Sequence, residues 1–508
     1  MATDVGDGYE VKFTETKRVY YVEKLGKVEA LGTIEQDVNP GDITKNQNNQ
    51  DLTGDSPETA YEVYSIEDLI QLSKMSNEGN AFENKYIKIG RDLNFKSDYS
   101  YGDKDNKEMF QDYNGDGVVE GIKEEITKDG SKGFTPLNKF SGSLLGENKS
   151  IKNISLKSGL SAEERRIGLI RYNTGTIQDL NLTGKMDISV GEEKQIMFRI
   201  GGICGDSEGK LSNIKNSTKI SVNCETSGSC VYLGGIAGYS GSPEEGVKTA
   251  IVEKCTNDAD ISAKGAADFR MSGILGRMDD STANNCKNSG YIRAESADYA
   301  CVGGIIGDAY NADVNYSCNT GKLESIGKSR VYTGGICSMD TKLIVKNSYN
   351  TGEIIINGYA ARSGGLTGSS ENGTILENCY NTGKITATSN STVIRVGGLV
   401  GCVFDRNNQP LVTIKNCYNA GIMDIQGQAS QKGSIFGIYF GTVENSYAIP
   451  QTNMGIGGMT NAKITIKNSE TKSVEDMKKQ EFVDLLNNGG NAFKLDSGNK
   501  NNGFPVLD

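Results

Sequence analysis

The sharpest chemical signature in the chain is the run Asp112-Tyr113-Asn114-Gly115-Asp116-Gly117-Val118. Oxygen-bearing residues at loop positions 1, 3 and 5 with glycine at 6 match a Ca²⁺ loop, in which a hard cation gathers oxygens around a sharp turn. The carbonyl of Val118 and the carboxylate of Glu120 fall at positions 7 and 9, so the expected Ca²⁺ set is Asp112, Asn114, Asp116, Val118 and Glu120. Position 12 is Lys123 instead of Glu, which leaves the bidentate ligand to Glu124 or Glu125, or missing. The alternative is a solvated acidic turn.

Catalytic chemistry is constrained by the absence of histidine from all 508 residues. Ser-His-Asp, Cys-His and HExxH arrangements are therefore excluded. Carboxylate pairs of the kind that cleave sugars stay open, and the places for them are the longer coils at 239–250 and 403–412, which hold Glu244 and Asp405. Such clefts need loop walls that short, regular spacings leave little room for. No enzymatic activity is expected, with a polysaccharide-cleaving β-helix as the rival. Eleven cysteines cannot all pair within one chain, and without histidine they make a poor zinc set. Cys224 and Cys230, flanking a short loop, are the pair best placed for a disulfide.

Most of the cysteines belong to a repeat. Aligned on Lys346-Asn347-Ser348-Tyr349-Asn350-Thr351-Gly352, one column reads Ser217, Cys255, Cys286, Ser317, Ser348, Cys379, Cys417, Ser446 and Ser469. Ser and Cys alternate freely in it, as expected of a small buried side chain at a crowded corner. A fixed spacing of this kind marks a solenoid. Ahead of the column stands an apolar residue such as Val314, Val345 or Leu376, and after it come Asn257, Asn288, Asn319, Asn350, Asn381 and Asn419, with glycine two places on at 290, 321, 352, 383 and 421, which reads as a recurring turn. A second cluster is a glycine pair before a branched residue, as in Gly303-Gly304-Ile305 and Gly364-Gly365-Leu366. With a third strand such as Glu353 to Ile356, each period makes one coil of a parallel β-helix rising about 4.8 Å.

The place after the column carries Tyr349, Tyr380, Tyr418 and Tyr447, preceded by Cys318. An outward tyrosine ladder is either a binding strip for a glycan or protein, or ordinary stacking along a solenoid face.

Composition agrees with thin stacked coils: 64 glycines, 7 prolines, no tryptophan and 7% aromatic residues. The formal charge of -11 with no long basic run argues against nucleic acid as partner. No apolar run reaches the roughly 20 residues of a membrane helix, and the Met1-Ala2-Thr3 start has no signal-peptide apolar core, so an export or anchoring segment is expected to be missing upstream. Helical caps are expected at both ends, over Ser65 to Met75 and Ser473 to Leu486, each with a capping-box spacing and an apolar face, and Gly489 ending the second. The fold class is all-β, a parallel β-helix of about 30-residue coils. Its parts are residues 1–50 as a small β segment with linker, 51–160 as cap and first coils with the acidic insertion, 161–470 as the solenoid, and 471–508 as the C-terminal cap.

Gly398-Leu399-Val400-Gly401, Gly365-Leu366-Thr367-Gly368, Gly304-Ile305-Ile306-Gly307 and Gly235-Ile236-Ala237-Gly238 resemble the GLUG motif of repeat-rich bacterial surface proteins. Those proteins include the non-catalytic regions of some IgA-cleaving peptidases and filamentous adhesins. Gly335-Ile336-Cys337-Ser338 departs at the last glycine, where the coil is expected to loosen. Thr59 to Phe95, Phe134 to Leu156 with Phe140-Ser141-Gly142, and the ending Asn501 to Leu507 resemble the flanks of such solenoids, while residues 9–34 are similar to a short region of clostridial pilin-like proteins. The resemblance implies an extracellular, bacterial cell-surface adhesin or scaffold that binds a host or matrix protein or glycan.

Overall fold

The structure is a computed structural model that describes residues 2–4, 8–12, 19–23, 42–46, 50–95, 134–161, 164–191, 195–389, 394–404, 412–427, 431–438, 441–458 and 464–507. The Ca²⁺ set Asp112, Asn114, Asp116, Val118 and Glu120 lies outside the described residues. No helix among them is long and apolar enough to cross a membrane. Two compact units emerge, Met1–Ser158 with Leu169–Asp187, and Gly159–Gly168 with Ile188–Asp508.

In the first unit, strands Ala2–Asp4, Gly8–Lys12 and Val19–Glu23 form a three-stranded antiparallel sheet. Helix α1 (Ile66–Asn77) starts where expected, because the Ser65 hydroxyl accepts from the Asp68 N–H at 3.1 Å and the Asp68 carboxylate accepts from the Ser65 N–H at 2.8 Å. Its buried face carries Ile66, Leu69, Ile70 and Leu72. Two small hydroxyls on that helix, Ser73 and Ser76, donate to the carbonyls of Thr135 (2.6 Å) and Lys139 (2.8 Å), fixing α1 to the strand Leu137–Phe140.

The second unit is the solenoid. One coil runs through Ala300–Gly303, Ile306–Tyr310, Asp313–Asn315, Cys318–Asn319 and into Leu323–Gly334. Parallel pairing holds the same apolar position in line from Val252 through Ala283, Val314, Val345, Leu376, Ile414 and Val443 to Ile466. Alternation along each strand sends Ile292, Ala294, Leu323 and Ile354 inward to full burial.

The Ser/Cys column is real from Cys255 onward, but its first member is misplaced. Leu211 pairs with Val252 and Asn216 with Asn257, so the residue facing Cys255 is Ile214 and Ser217 lies outside the column. That coil is 41 residues long, not 38. The insertion hides the true register because a serine happens to sit near the expected place.

Smallness is only part of what the column needs. The Ser317 hydroxyl accepts the Cys286 N–H at 3.1 Å and donates to the Asn315 carbonyl at 2.9 Å, and Ser348 repeats both contacts one coil on. Cys417 accepts the Cys379 N–H at 3.3 Å and donates to the Lys415 carbonyl at 3.1 Å, so a thiol does the same work. Ser317→Ala therefore orphans a buried N–H, and a loss of about 1–3 kcal/mol is expected in urea unfolding, with Ser317→Cys recovering most of it. Equal losses for Ala and Cys would contradict this role.

The turn after the column also differs from expectation. The left-handed residue precedes the column, with φ +53° at Asn285, +51° at Tyr316 and +48° at Asn347. The asparagines after it are fully buried and form a ladder, each Nδ2 donating to the next Oδ1 from Asn216 to Asn419 over 2.7–3.0 Å. Each Nδ2 from Asn257 onward also donates to the carbonyl two residues on, as Asn350 does to Gly352 at 3.0 Å.

The glycine pair is the other half of the same device. A Cβ on Gly335 would lie 2.1 Å from the Gly365 carbonyl oxygen and 2.4 Å from Cβ of Asn350, so the second glycine makes room for the ladder. Where Ser338 replaces the motif's last glycine the coil does not loosen. Cys337 stays in register with Thr367, and the Ser338 hydroxyl donates to the Gly307 carbonyl.

Candidate functional site

The tyrosine column is stacked, but it is not an outward strip. Tyr349 and Tyr380 lie parallel with ring centres 4.7 Å apart, and Tyr380 and Tyr418 follow at 5.0 Å. Helix α2 (Gln480–Asn487) covers them, with Phe482 edge-on to Tyr418 at 6.0 Å and to Tyr447 at 5.5 Å. Asn501 Nδ2 donates to the Tyr418 hydroxyl at 2.8 Å, and that hydroxyl donates to the Pro505 carbonyl. Tyr380, Tyr418 and Tyr447 are buried with Met477, Val483, Leu486, Phe493 and Phe504, and Tyr349 is partly buried against the same cluster. A binding strip made of these four is thereby overturned: their apolar area is spent on the C-terminal segment.

That segment departs from the expected cap in a second way. The Ser473–Asp476 contact forms, but the α-helix starts only at Gln480 and ends on Asn488 in the left-handed conformation. It lies along the flank of three coils instead of across the last strand, Ile464–Lys467, where Ile466 is 45% exposed.

Glu244 and Glu245 sit in an exposed turn between Ala237–Gly241 and Ala250–Glu253, and residues 405–411 lie outside the described residues. All eleven cysteines are free. Cys224 is buried and its thiol points at the Thr226 carbonyl, whereas Cys230 stands beside Asp268, Arg270 and Tyr232, so the suggested disulfide does not form.

The largest concentration of functional groups lies where sequence reasoning placed nothing. Two residues before the glycine corner of each coil (Gly168-Leu169 and Ser272-Gly273 where the pair is incomplete), the strands carry an aligned column of Arg166, Arg199, Tyr232, Arg270, Cys301, Tyr332, Arg362 and Arg395, of which Tyr232, Cys301 and Tyr332 are buried. Five residues after the first glycine, the next strand carries Asp206, Tyr239, Arg277, Asp308, Met339, Ser369 and Cys402. The glycine corner brings the two columns face to face in a seam. Arg199 reaches Asp206 and stands 4.6 Å from the Tyr239 ring centre, Arg277 donates to the Tyr232 hydroxyl at 3.3 Å, and the Cys301 thiol meets the Met339 sulfur at 3.7 Å.

Charge along the seam falls into two stretches. From Arg166 to Asp308 every arginine has a carboxylate: Arg166 and Arg199 share Asp206, Arg270 binds Asp268 and Asp308, and Arg277 binds Asp279 and Asp308. Burial raises the pKa of Asp206, Asp268 and Asp279 while their arginines work against the rise. Held in ion pairs, these carboxylates suit charge recognition better than proton transfer. The Cys230 thiol is pushed up to about 12 by burial, so it is no nucleophile.

Further along, the carboxylates stop. Arg330 lies 5.4 Å from the Tyr299 ring centre, Arg362 is held between Tyr332 (4.7 Å) and Phe404 (4.4 Å), and Arg395 lies 5.7 Å from Phe404. Among the described residues none of these three forms an ion pair with a carboxylate. Burial lowers the pKa of Arg362, and Arg395 and Arg330 lower it further, against opposing effects of Tyr332 and Cys402. The columns were legible only through their fixed offset from the glycine pair, since residue type varies from coil to coil.

A family model described as the GLUG motif matches residues 359–386. That span holds Arg362, the Gly364-Gly365-Leu366-Thr367-Gly368 corner, Cys379, Asn381 and Gly383, and so includes seam, glycine pair, column and ladder in one coil. No curated protein matches the chain. Among solved structures, a chain from Bacteroides ovatus proposed to be an immunoglobulin A1 protease is similar at 15% identity, over 90% of this chain and 95% of that one, with a TM-score of 0.32. That likeness is too loose to carry an argument. The coil geometry and the motif match together make this chain a parallel β-solenoid carrying the GLUG motif.

Proposed function

We propose that the chain is a non-enzymatic extracellular scaffold or adhesin of a bacterial surface that holds a host or matrix glycan or protein along the seam. The observation that carries this reading is the seam itself: two facing columns of Arg, Tyr and Asp kept in register coil after coil by the ladder and glycine corner. A seam that repeats along a rigid stack suits holding an extended contact, because its half-buried arginines recur at multiples of one strand spacing between buried neighbours such as Tyr232, Cys301 and Tyr332. Its carboxylates are engaged by arginines, which favours binding over acid–base work.

Purified chain applied to glycan and matrix-protein arrays is expected to be retained on a restricted set of ligands and to release no product from them. Turnover of a uronic or host glycan that vanished in Glu244→Gln or Asp405→Asn would replace this reading with the polysaccharide-cleaving one.

A further inference from the structure

We propose that the open C-terminal end of the solenoid is a homodimer interface, on which a second copy of this chain lays its own last strand antiparallel to the first. This surface shares no residue with the seam. Three core positions reach the last coil and stop uncovered. Ile305, Ile336, Leu366, Leu399 and Ile435 are fully buried in succession, yet Ile456, whose carbonyl accepts the Ile435 N–H at 2.8 Å, is partly exposed. Val443 is fully buried, and its register partner Ile466 is 45% exposed. Ile464, two places earlier on the same strand, is partly exposed as well. One more layer on this end would bury all three, which is the gain that stacks every earlier coil.

The main chain is unfinished at the same place. The Lys467 carbonyl accepts the Asn445 N–H at 3.0 Å, so the alternation of a strand turns the N–H and C=O groups of Ile464 and Ile466 away from the preceding coil. Ser469 shows the same gap. The N–H groups of Cys286, Ser317, Cys417 and Ser446 each meet a hydroxyl of the following coil, and among the described residues no coil follows Ser469. A free strand edge with apolar side chains beside it is a pairing surface.

A second copy meeting open end to open end fits better than a head-to-tail neighbour, because the first coil is already engaged. In the first unit the Glu62 N–H of strand Tyr61–Val63 donates to the Ile43 carbonyl at 3.0 Å. Ile43 is fully buried, and its own N–H donates to Gln71 of α1 at 3.0 Å. The open end is also self-complementary. A two-fold axis through Ile466 pairs that residue with itself and sets Thr465 opposite Lys467, which keeps the two lysines out of direct opposition. Lys346, Glu377, Lys415, Glu444 and Lys467 alternate along one outward column, so Lys467 is its unbalanced terminus and some repulsion between the copies persists. A two-fold contact closes on itself, and one spanning a single coil is small, so the product is a weak dimer and not a filament.

Sedimentation equilibrium of the full chain from about 1 to 100 μM tests this, and wild type is expected to pass from monomer to dimer across that range and no further. Ile466→Lys should weaken the dimer by about tenfold to a hundredfold, since the two-fold repeats the change in both copies. Ile422→Lys, at an isoleucine 63% exposed in an earlier coil, should leave it unchanged. Higher salt should tighten the wild-type dimer by screening Lys467. Hydrogen exchange needs no variant: the amides of Ile464, Ile466 and Ser469 should gain protection as wild-type concentration rises, and this decides the matter if Ile466→Lys misfolds. A monomer throughout, a mass that climbs past the dimer, a dimer that a folded Ile466→Lys leaves intact, or a dimer whose formation leaves those three amides unprotected would overturn the interface.

Discussion

Replacing Asn350 by alanine is expected to destabilise the solenoid by about 3–6 kcal/mol, more than any single surface change in the chain. Asn350 is fully buried in mid-ladder. It accepts from Asn319 Nδ2 at 2.7 Å and donates both to Asn381 Oδ1 at 2.8 Å and to the Gly352 carbonyl at 3.0 Å. Alanine removes all three partners and leaves one Asn319 N–H and the Gly352 carbonyl unmet in a site that excludes water, while Asn381 Oδ1 keeps only the Gly383 N–H at 3.2 Å. Each such orphan costs about 1–3 kcal/mol. Asn216 heads the ladder and receives from no earlier asparagine, so Asn216→Ala should cost less. Urea unfolding checks the totals, and hydrogen exchange shows whether protection is lost first in the coils around Asn350, as nearest-neighbour coupling in a repeat array requires. An Asn350→Ala loss equal to or below that of Asn216→Ala would mean the ladder does not act as a connected network.

The same residues show how much of this architecture a sequence reveals. The period was legible because coils of equal length repeat the same types, and Cys255, Cys286, Ser317 and Ser348 are in register as the spacing requires. Ser217 failed because an insertion lengthens its coil, and spacing alone cannot say on which side of a strand the extra residues fall. The asparagines were visible, but their role was not. Asn is at home in turns, so it was assigned to one, whereas its two-donor amide here bridges successive coils.

The candidate site was harder to read, for a different physical reason. Tyr380 and Tyr418 alternate with inward neighbours, so local pattern puts them outside the core. Only the docking of Phe482, Leu486 and Phe504 from the end of the chain buries them. The apolar stripe of that helix announced that it must cover something without saying what. The seam was missed because its columns keep position and vary type: Arg199, Tyr232, Arg270 and Cys301 share a place in the coil and no side-chain chemistry.

Asp340 should make the stability of the protein fall as pH rises from about 4 to about 7. The side chain is 3% exposed, and its oxygens accept from Ser370 at 2.8 Å and from Thr374 at 2.5 Å, with no cation beside it. Burial pushes its pKa from the ordinary 3.8 to about 7, against the lowering effect of the two hydroxyls. A carboxyl raised in the folded state binds its proton more tightly there than in the unfolded chain. Its contribution is therefore fully present below about pH 4 and lost between about pH 4 and 7, an amount on the order of 4 kcal/mol. Asp340→Asn stays neutral throughout and keeps an oxygen to accept from either hydroxyl, so it should remove that slope and leave the variant more stable than wild type at pH 8. Asp206, Asp268 and Asp279 are also raised but are common to both proteins, so the difference between the two curves isolates Asp340. Urea midpoints taken from pH 4 to 8 decide it: parallel curves for wild type and Asp340→Asn would show that this carboxyl titrates where an exposed one does.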